Sequence, residues 1–171
     1  HSTARGTVAN LTGNATYPNK PSAFEWRDAF EGKAARGDNY GTRAHGYLVP
    51  PADGDYTFWI ASDDASELWL STDATAAKAV KIAGVAAWAN ANQWDKEAGQ
   101  KSAVKSLKAG QTYYIEARHK EGTGGDNLSV GWAGPGIGET PVVIAGQYFV
   151  AFPADDAANK AKNPDPANGK T

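Results

Sequence analysis

Two segments of alternating apolar and polar residues lie close together in the stretch 54–72, GDYTFWIASDDASELWLST, and limit the folds open to the chain. Every second residue in 56–60 and in 68–70 is large and apolar. A period of two is typical of strands that bury one face. Because a short polar turn, 62–66, separates the two segments, we predict that they form a central β-hairpin.

Two adjacent aspartates, Asp63 and Asp64, lie in that turn. Since neighbouring side chains of a strand point to opposite faces, the two carboxylates can converge only at a sharp turn or across a cis peptide bond. Carboxylates that converge repel each other, and a bound divalent cation offsets that repulsion. The residues leave open the alternative of a solvated turn whose aspartates bond to nearby backbone groups.

Composition and charge exclude several classes of function. With 17 basic and 19 acidic residues the formal net charge is -2, and no basic stripe follows the chain, so we expect no nucleic-acid partner. No apolar run is long enough to cross a bilayer, and we expect no membrane insertion. The chain contains no cysteine, which excludes disulfides and thiolate ligands and leaves calcium as the natural stabilising ion.

At least six alternating segments separated by turn residues predict one all-β domain over residues 5–152. The 171 residues suffice for one domain with a proper core, and 19 glycines and 9 prolines suit a fold with many turns. Residues 153–171 lose the periodicity and are rich in proline, asparagine and aspartate. We predict that they form a linker or tail toward a following module.

The N-terminal part of the chain has a different pattern. Residues 5–21 are polar and rich in turns, which favours an irregular segment or an edge strand. Ala23, Trp26 and Phe30 recur at helical spacing, so we predict a short helix there with Ser22 as its N-cap.

Two tryptophans, Trp88 and Trp94, lie among amide and charged side chains in the loop 84–100. Aromatic rings surrounded by amides are typical of sugar-binding surfaces, because sugar faces stack on rings and hydroxyls bond to amides. The same residues would also suit a long loop that is pinned to the core by its aromatic rings. The residues favour the second, structural interpretation.

A second polar loop, 119–127, reads HKEGTGGDN and follows a predicted strand. Its three glycines allow backbone carbonyls to turn toward a ligand, and Asp126 and Asn127 add side-chain oxygens. Oxygen ligands are those that hard cations prefer. The alternative is a flexible hairpin tip, and the spacing matches neither an EF-hand nor a phosphate-binding glycine loop.

Five segments of the chain together carry a family resemblance. They are DNYGTRAHGYLVPP (38–51), GDYTFWIASDDASELWLSTD (54–73), WDKEAGQKS (94–102), LKAGQTYYIEARHKEGTGGDNLSVGW (107–132) and the step Gly134-Pro135. The combination resembles the PA14 domain family, which is named after the N-terminal portion of anthrax protective antigen and includes yeast flocculins, epithelial adhesins and bacterial adhesins. The resemblance covers about residues 5–150 and implies a twisted antiparallel β-sandwich or barrel.

In the lectin members of that family, the paired aspartates that match Asp63 and Asp64 are joined by a cis peptide bond and hold a calcium ion that binds sugar hydroxyls directly. The resemblance therefore implies calcium as the cofactor, with Asp126 as the expected further ligand. The residues expected to contact carbohydrate are Asp63, Asp64, Lys120, Glu121, Asn127, Trp88 and Trp94. Yeast adhesins have a differently built second loop, so their sugar preferences do not transfer.

The sequence thus predicts a calcium-dependent carbohydrate-binding module, one monomeric unit of a larger secreted or cell-surface bacterial protein, whose partners are glycans. The alternative is a structural or protein-interaction domain that uses the same calcium for rigidity. An enzyme is not expected, because carboxylates that hydrolyse a glycosidic bond flank it at about 5–9.5 Å, and the chain shows no other catalytic motif. We assign no catalytic residues.

Overall fold

The computed structural model describes residues 6–151, and in that range the regular secondary structure is mostly β-strand. Its strands are β1 (Gly41–Leu48), β2 (Gly54–Asp63), β3 (Ala65–Leu70), β4 (Val80–Val85), β5 (Lys105–Leu107), β6 (Tyr113–Lys120), β7 (Asn127–Gly134), β8 (Gly138–Val143) and β9 (Phe149–Val150). One α-helix, α1 (Val8–Thr12), precedes them, and 3-10 turns occupy Ala76–Lys78, Ala98–Gln100 and Gly146–Tyr148. None of the described helices is long and apolar enough to cross a bilayer.

The strands form two antiparallel sheets that pack face to face. One sheet has the order β4-β3-β6-β1-β9, and the other has the order β5-β2-β7-β8. Side chains from both sheets fill one core, in which Leu48, Phe58, Ile115 and Trp132 are fully buried. This arrangement confirms the predicted antiparallel β-sandwich, and the described strands do not close into a barrel.

The predicted central hairpin is wrong, although both of its segments are strands. β2 pairs with β5 and β7, whereas β3 pairs with β4 and β6, so the two consecutive strands belong to different sheets. The chain passes from one sheet to the other at Asp63 and Asp64, whose peptide bond is cis, as the family resemblance implied. An alternating pattern indicates which face of a strand is buried, but it does not indicate which strand lies beside it.

The predicted helix at residues 22–30 is also wrong. Trp26, one of the three residues at helical spacing, is 65% exposed, and only Phe30 of the three is buried. The helix of this region is α1, which lies inside the segment predicted to be irregular and buries Val8. Helical spacing predicts a helix only where the spaced residues share a buried face, and here they do not.

The register of the strands brings four strand ends together at one end of the sandwich. Asp63, at the end of β2, is paired with Asn127 at the start of β7. Ala65, at the start of β3, is paired with Lys120 at the end of β6. The paired aspartates and the glycine-rich loop that follows β6 therefore meet at this end.

The predicted linker, residues 153–171, lies outside the described residues, as do the first and last positions of the predicted domain, 5 and 152. The last described strand, β9, pairs with β1 through Tyr47 and Leu48. It thus forms one edge of the larger sheet.

Candidate metal centre

Three carboxylates, which we call the carboxylate cluster, meet where strands of both sheets end or begin. One ligand oxygen each of Asp63, Asp64 and Glu121 lies within 4.8 Å of the others. Asp63 ends β2, Asp64 lies between β2 and β3, and Glu121 follows β6. Asp64 and Glu121 are buried and Asp63 is half-buried. Three negative charges thus share a small, poorly solvated volume, which is unfavourable unless a cation compensates them.

Backbone groups hold these side chains in place. Glu121 Oε2 accepts a hydrogen bond of 3.0 Å from Asp64 N, and Asp64 Oδ2 accepts one of 2.9 Å from Gly122 N. The carbonyl oxygen of Asp63 lies 2.7 Å from Nε2 of the buried His119. The two aspartates are thereby tied to strand β6 and to the loop that follows it.

Two buried oxygen atoms have no hydrogen-bond partner among the described residues. One is Oε1 of Glu121, and the other is Oδ1 of Asn127, which lies opposite Asp63 in the register of β2 and β7. Asn127 Nδ2 donates a hydrogen bond of 3.0 Å to Ala89 O, so the amide oxygen is the atom left without a partner. A buried oxygen in this state is costly, and such oxygens are the ligands that a hard cation prefers.

The electrostatics of the site reflect the same crowding. Burial, together with the charge of Asp64, raises the pKa of Glu121 to about 7. Burial also lowers the pKa of His119, and its bond to the Asp63 carbonyl opposes this only in part. Lys120 donates from Nζ to the carbonyl oxygen of Glu121. The raised pKa indicates that a charged Glu121 is disfavoured when only the protein's own groups surround it, as is common at functional sites.

The structure does not bring Asp126, the expected further ligand, into the carboxylate cluster. Its carboxylate accepts hydrogen bonds from three consecutive backbone N–H groups, those of residues 35–37, and from the hydroxyl of Tyr40. Glu121 takes the third position in the cluster. The signal for Glu121 in the sequence was its place just before the first glycine of the loop, where an acidic side chain follows the end of a strand.

The two tryptophans of the long loop before β5 have different surroundings. The backbone of Trp88 forms a β-bridge with Asp63. The residue is 37% exposed, and the ammonium group of Lys96 lies over its ring. The ring of Trp94 is half-buried against Gly131, where a Cβ atom would lie 3.1 Å from Cη2. Trp88 is therefore accessible beside the carboxylate cluster, whereas Trp94 packs the loop onto β7.

Comparison with known proteins gives the family. A family model of the PA14 domain matches residues 8–144. The chain belongs to the PA14 domain family. This PA14 domain is 40% identical over 99 residues to N-acetyl-beta-glucosaminyl-glycoprotein 4-beta-N-acetylgalactosaminyltransferase 1 of Mus musculus, a match that covers 55% of the chain and 10% of the transferase. It is 30% identical over 117 residues to fibrocystin of Canis lupus familiaris, a match that covers 61% of the chain and 3% of fibrocystin.

Among solved structures, the PA14 domain is similar to the A domain of epithelial adhesin 6 from Candida glabrata, solved in complex with Galb1-3GlcNAc. The two share 20% sequence identity with a TM-score of 0.51, and the match covers 69% of this chain and 54% of the adhesin chain. At this identity the likeness concerns the fold. The chain also spans only a small part of its curated relatives, 10% and 3% of their lengths.

Proposed function

We propose that this PA14 domain is a calcium-dependent carbohydrate-binding module in which the ion bridges the protein and the hydroxyls of a sugar. The observation that carries the proposal is the meeting of Asp63, Asp64 and Glu121 within 4.8 Å, together with the unpaired buried oxygens of Glu121 and Asn127. All these donors are oxygen atoms, and calcium takes about six to eight oxygen ligands. The donor set therefore fits calcium better than it fits softer metals.

In this proposal the three carboxylates of the cluster and the amide oxygen of Asn127 are the protein's ligands. A bound calcium ion supplies open coordination positions that two neighbouring hydroxyls of a sugar can occupy. Carboxylate oxygens of Asp63 and Asp64 accept hydrogen bonds from the same hydroxyls, and the ring of Trp88 offers for stacking the face that Lys96 does not cover. Lys120, which donates from Nζ to the carbonyl oxygen of Glu121, is a further contact to the sugar in this proposal, and Trp94 supports the loop that carries Trp88.

Two comparisons support a carbohydrate ligand. The adhesin A domain shares the fold and was solved with Galb1-3GlcNAc bound. The mouse relative is named as a transferase that acts on a glycoprotein. Because the matched segment is only 10% of that transferase, we propose that the shared segment binds glycans and does not itself catalyse a reaction.

We propose that the module is one monomeric unit of a longer secreted or cell-surface protein of bacterial type, with residues 153–171 leading to a following module. The presence of an adhesin among the structural neighbours supports a surface location. A single site with a small contact area binds weakly, so display of several copies would raise the useful affinity.

One observation favours a second function, in which the calcium ion has a structural role. The carboxylate cluster draws on both sheets, since β2 belongs to one sheet and β3 and β6 belong to the other. Ligands on both sheets would make calcium a link between them. In that case the ion would stabilise the sandwich, and the surface would serve a protein partner without binding sugar.

A glycan array and calorimetry, each run with calcium and with a chelator, test these functions. We expect a monosaccharide to bind with a Kd of about 1 mM, or about -4 kcal/mol, and chelator to abolish the binding. The double variant Asp63→Asn/Asp64→Asn should lose calcium and sugar together while it stays folded, because the apolar faces of the strands are unchanged. Asp55→Asn is the matched control, since this exposed carboxylate lies at the start of β2, where it accepts a hydrogen bond from Ser106.

The outcomes separate the two functions. At a calcium concentration of 100 Kd, mass action stabilises the folded state by about 2.7 kcal/mol, which raises the Tm of a domain of this size by about 5–11 °C. That rise without any glycan binding would favour the second function. A double variant that binds glycan at wild-type strength would refute the calcium-bridged mechanism.

A further inference from the structure

Asp126 lies outside the carboxylate cluster, and its contacts point to a different role. Its Oδ2 accepts hydrogen bonds of 2.6 Å from Arg36 N, 3.2 Å from Gly37 N and 3.1 Å from the Tyr40 hydroxyl. Its Oδ1 accepts a hydrogen bond from Ala35 N. Asp126 is only 9% exposed, so these four donors replace the solvent around its charge.

The backbone of the loop 35–40 is shaped around this carboxylate. Ala35 has a φ of 53° and Asn39 a φ of 59°, left-handed conformations that a residue with a side chain adopts at a cost. Gly37, with a φ of 116°, also has a positive φ. Such an alternation turns successive N–H groups toward one point and forms a concave anion site. The anion that fills it here is the carboxylate of Asp126.

The same loop holds the backbone of the residues that follow β6. Glu121 N donates a hydrogen bond of 2.9 Å to Tyr40 O, and Asn39 N donates one of 2.7 Å to Gly122 O. Tyr40 is thus bonded to Asp126 through its hydroxyl and to Glu121 through its carbonyl. These contacts form a continuous path from Asp126 to the carboxylate cluster.

We propose that Asp126 is a positioning residue that shapes the loop 35–40, which in turn sets the backbone of Glu121 and Gly122 and the geometry of the cation ligands. Asp126 does not bind the ion. This inference rests on the metal centre proposed above and assigns the acidic residue of the glycine-rich loop to a different task. Residues that orient metal ligands typically change metal affinity by about 10–100-fold when they are replaced.

Terbium luminescence separates a positioning role from a ligand role, because lifetimes in H₂O and D₂O count the waters on a terbium ion that occupies a calcium site. We expect Asp126→Asn and Asp126→Ala to weaken calcium binding about 10–100-fold in calorimetry with an unchanged number of waters on terbium. Glu121→Gln, the ligand variant, should weaken calcium binding and increase the number of waters. Asp55→Asn, at the other end of β2, should change neither quantity.

The variant Tyr40→Phe tests the path itself, since it removes only the hydroxyl that donates to Asp126. If Asp126 acts through this loop, the double variant Tyr40→Phe/Asp126→Asn should bind calcium about as weakly as Asp126→Asn alone. Fold-changes that multiply would mean that Tyr40 and Asp126 affect the ion independently, and would break the proposed path, while the terbium water count separates a positioning role from a ligand role. Near-ultraviolet circular dichroism checks that each variant has kept its tertiary packing.

Three results would count against the inference. An increase in bound waters in Asp126→Asn equal to that in Glu121→Gln would make Asp126 a ligand and overturn it. Unchanged calcium affinity in both Asp126 variants would also overturn it and leave the metal centre intact. A wild-type protein that binds neither calcium nor terbium would refute the metal centre itself, and the inference with it.

Discussion

In the proposed metal centre, the charge of Glu121 favours binding of the cation but destabilises the protein when no cation is bound. Its Oε2 accepts the N–H of Asp64, while its Oε1 is buried and has no hydrogen-bond partner among the described residues. It lies within 4.8 Å of both aspartates. With a cation this arrangement is a binding site, and without one it brings three like charges together.

We expect Glu121→Gln to separate these two effects. The glutamine carbonyl can still accept the hydrogen bond from Asp64 N, and one negative charge is removed. In chelator the variant should melt above the wild type because repulsion is relieved. In calcium it should melt below the wild type, because we expect calcium affinity to fall by more than about 100-fold. A loss of that size exceeds the range of about 10–100-fold for residues that only orient metal ligands. Melting curves in both conditions check this, and a variant less stable in both would assign Glu121 to the fold.

Trp88 is expected to affect sugar binding without affecting the ion. Its backbone bridge to Asp63 does not depend on its side chain. Trp88→Ala should therefore weaken glycan binding about three- to tenfold, or about 0.7–1.4 kcal/mol, with the same calcium affinity in calorimetry. Trp94→Ala provides the contrast, because its ring packs on Gly131 and its loss should lower the Tm. Equal glycan affinity in Trp88→Ala and the wild type would exclude Trp88 from the site.

At the scale of elements, β1 and β6 are joined by a buried charge cluster on the outer face of the larger sheet. Glu116 accepts hydrogen bonds of 2.8 Å from Arg43 Nε and 2.6 Å from Arg118 Nε, and one from the Tyr114 hydroxyl. Burial raises the pKa of Glu116, but the guanidinium groups and the hydroxyl outweigh it and hold that pKa below its ordinary value. This cluster stabilises the sheet independently of any cation.

The depressed pKa of Glu116 sets a pH dependence. Its contribution to stability is present above the unfolded-state value of 4.5 and is lost as the pH falls through the folded-state value. Glu116→Gln should cost about 1–3 kcal/mol at pH 7, less than the cost of breaking a fully buried pair, since Arg43 and Arg118 are 26% and 24% exposed. The difference from the wild type should shrink below pH 4.5.

Urea midpoints measured across that pH range check the prediction. Lys108→Gln is the control, because it breaks an ion pair with Asp53 in which both side chains are exposed. It should have little effect at any pH. A cost of Glu116→Gln that persists in acid would mean that the side chain acts through packing and not through its charge.

At the scale of the whole molecule, the carboxylate cluster lies at one end of a sandwich whose core is built from both sheets. The edge strand β9 pairs with β1, and the ring of Phe149 meets that of Phe30 edge to face at 5.5 Å between centroids. Gly46 is in close contact with the same ring, since a Cβ atom there would lie 2.7 Å from Cδ1 of Phe149. β9 thus covers one side of the core.

We therefore expect a chain that ends at residue 152 to keep the Tm and the calcium affinity of the full chain. A chain that ends at residue 146 lacks β9 and the contact of Phe149 with Phe30, and it should melt at a lower temperature. Thermal melts of the three chains check both statements. An equal loss in both shortened chains would show that residues 153–171 belong to the domain and are not a linker.

Features that depend on residues close together in the chain could be predicted from the sequence. The alternation in 56–60 and 68–70 predicted two strands, and both exist as β2 and β3. The quoted segments indicated the PA14 family, which the family model confirms over residues 8–144. Strand formation and turn chemistry follow from local periodicity and local hydrogen bonding, so a linear pattern is enough to predict them.

Which of these elements and side chains meet depends on contacts between distant parts of the chain. The same alternation suits a hairpin or two strands in separate sheets, and burial of both strands in one core selected the second. Glu121 and Asp126 are both acids of one loop, yet only Glu121 faces the aspartates, because Asp126 is held by N–H groups of residues 35–37. Those partners lie about 90 positions away in the chain, and no local pattern specifies contacts across such a separation.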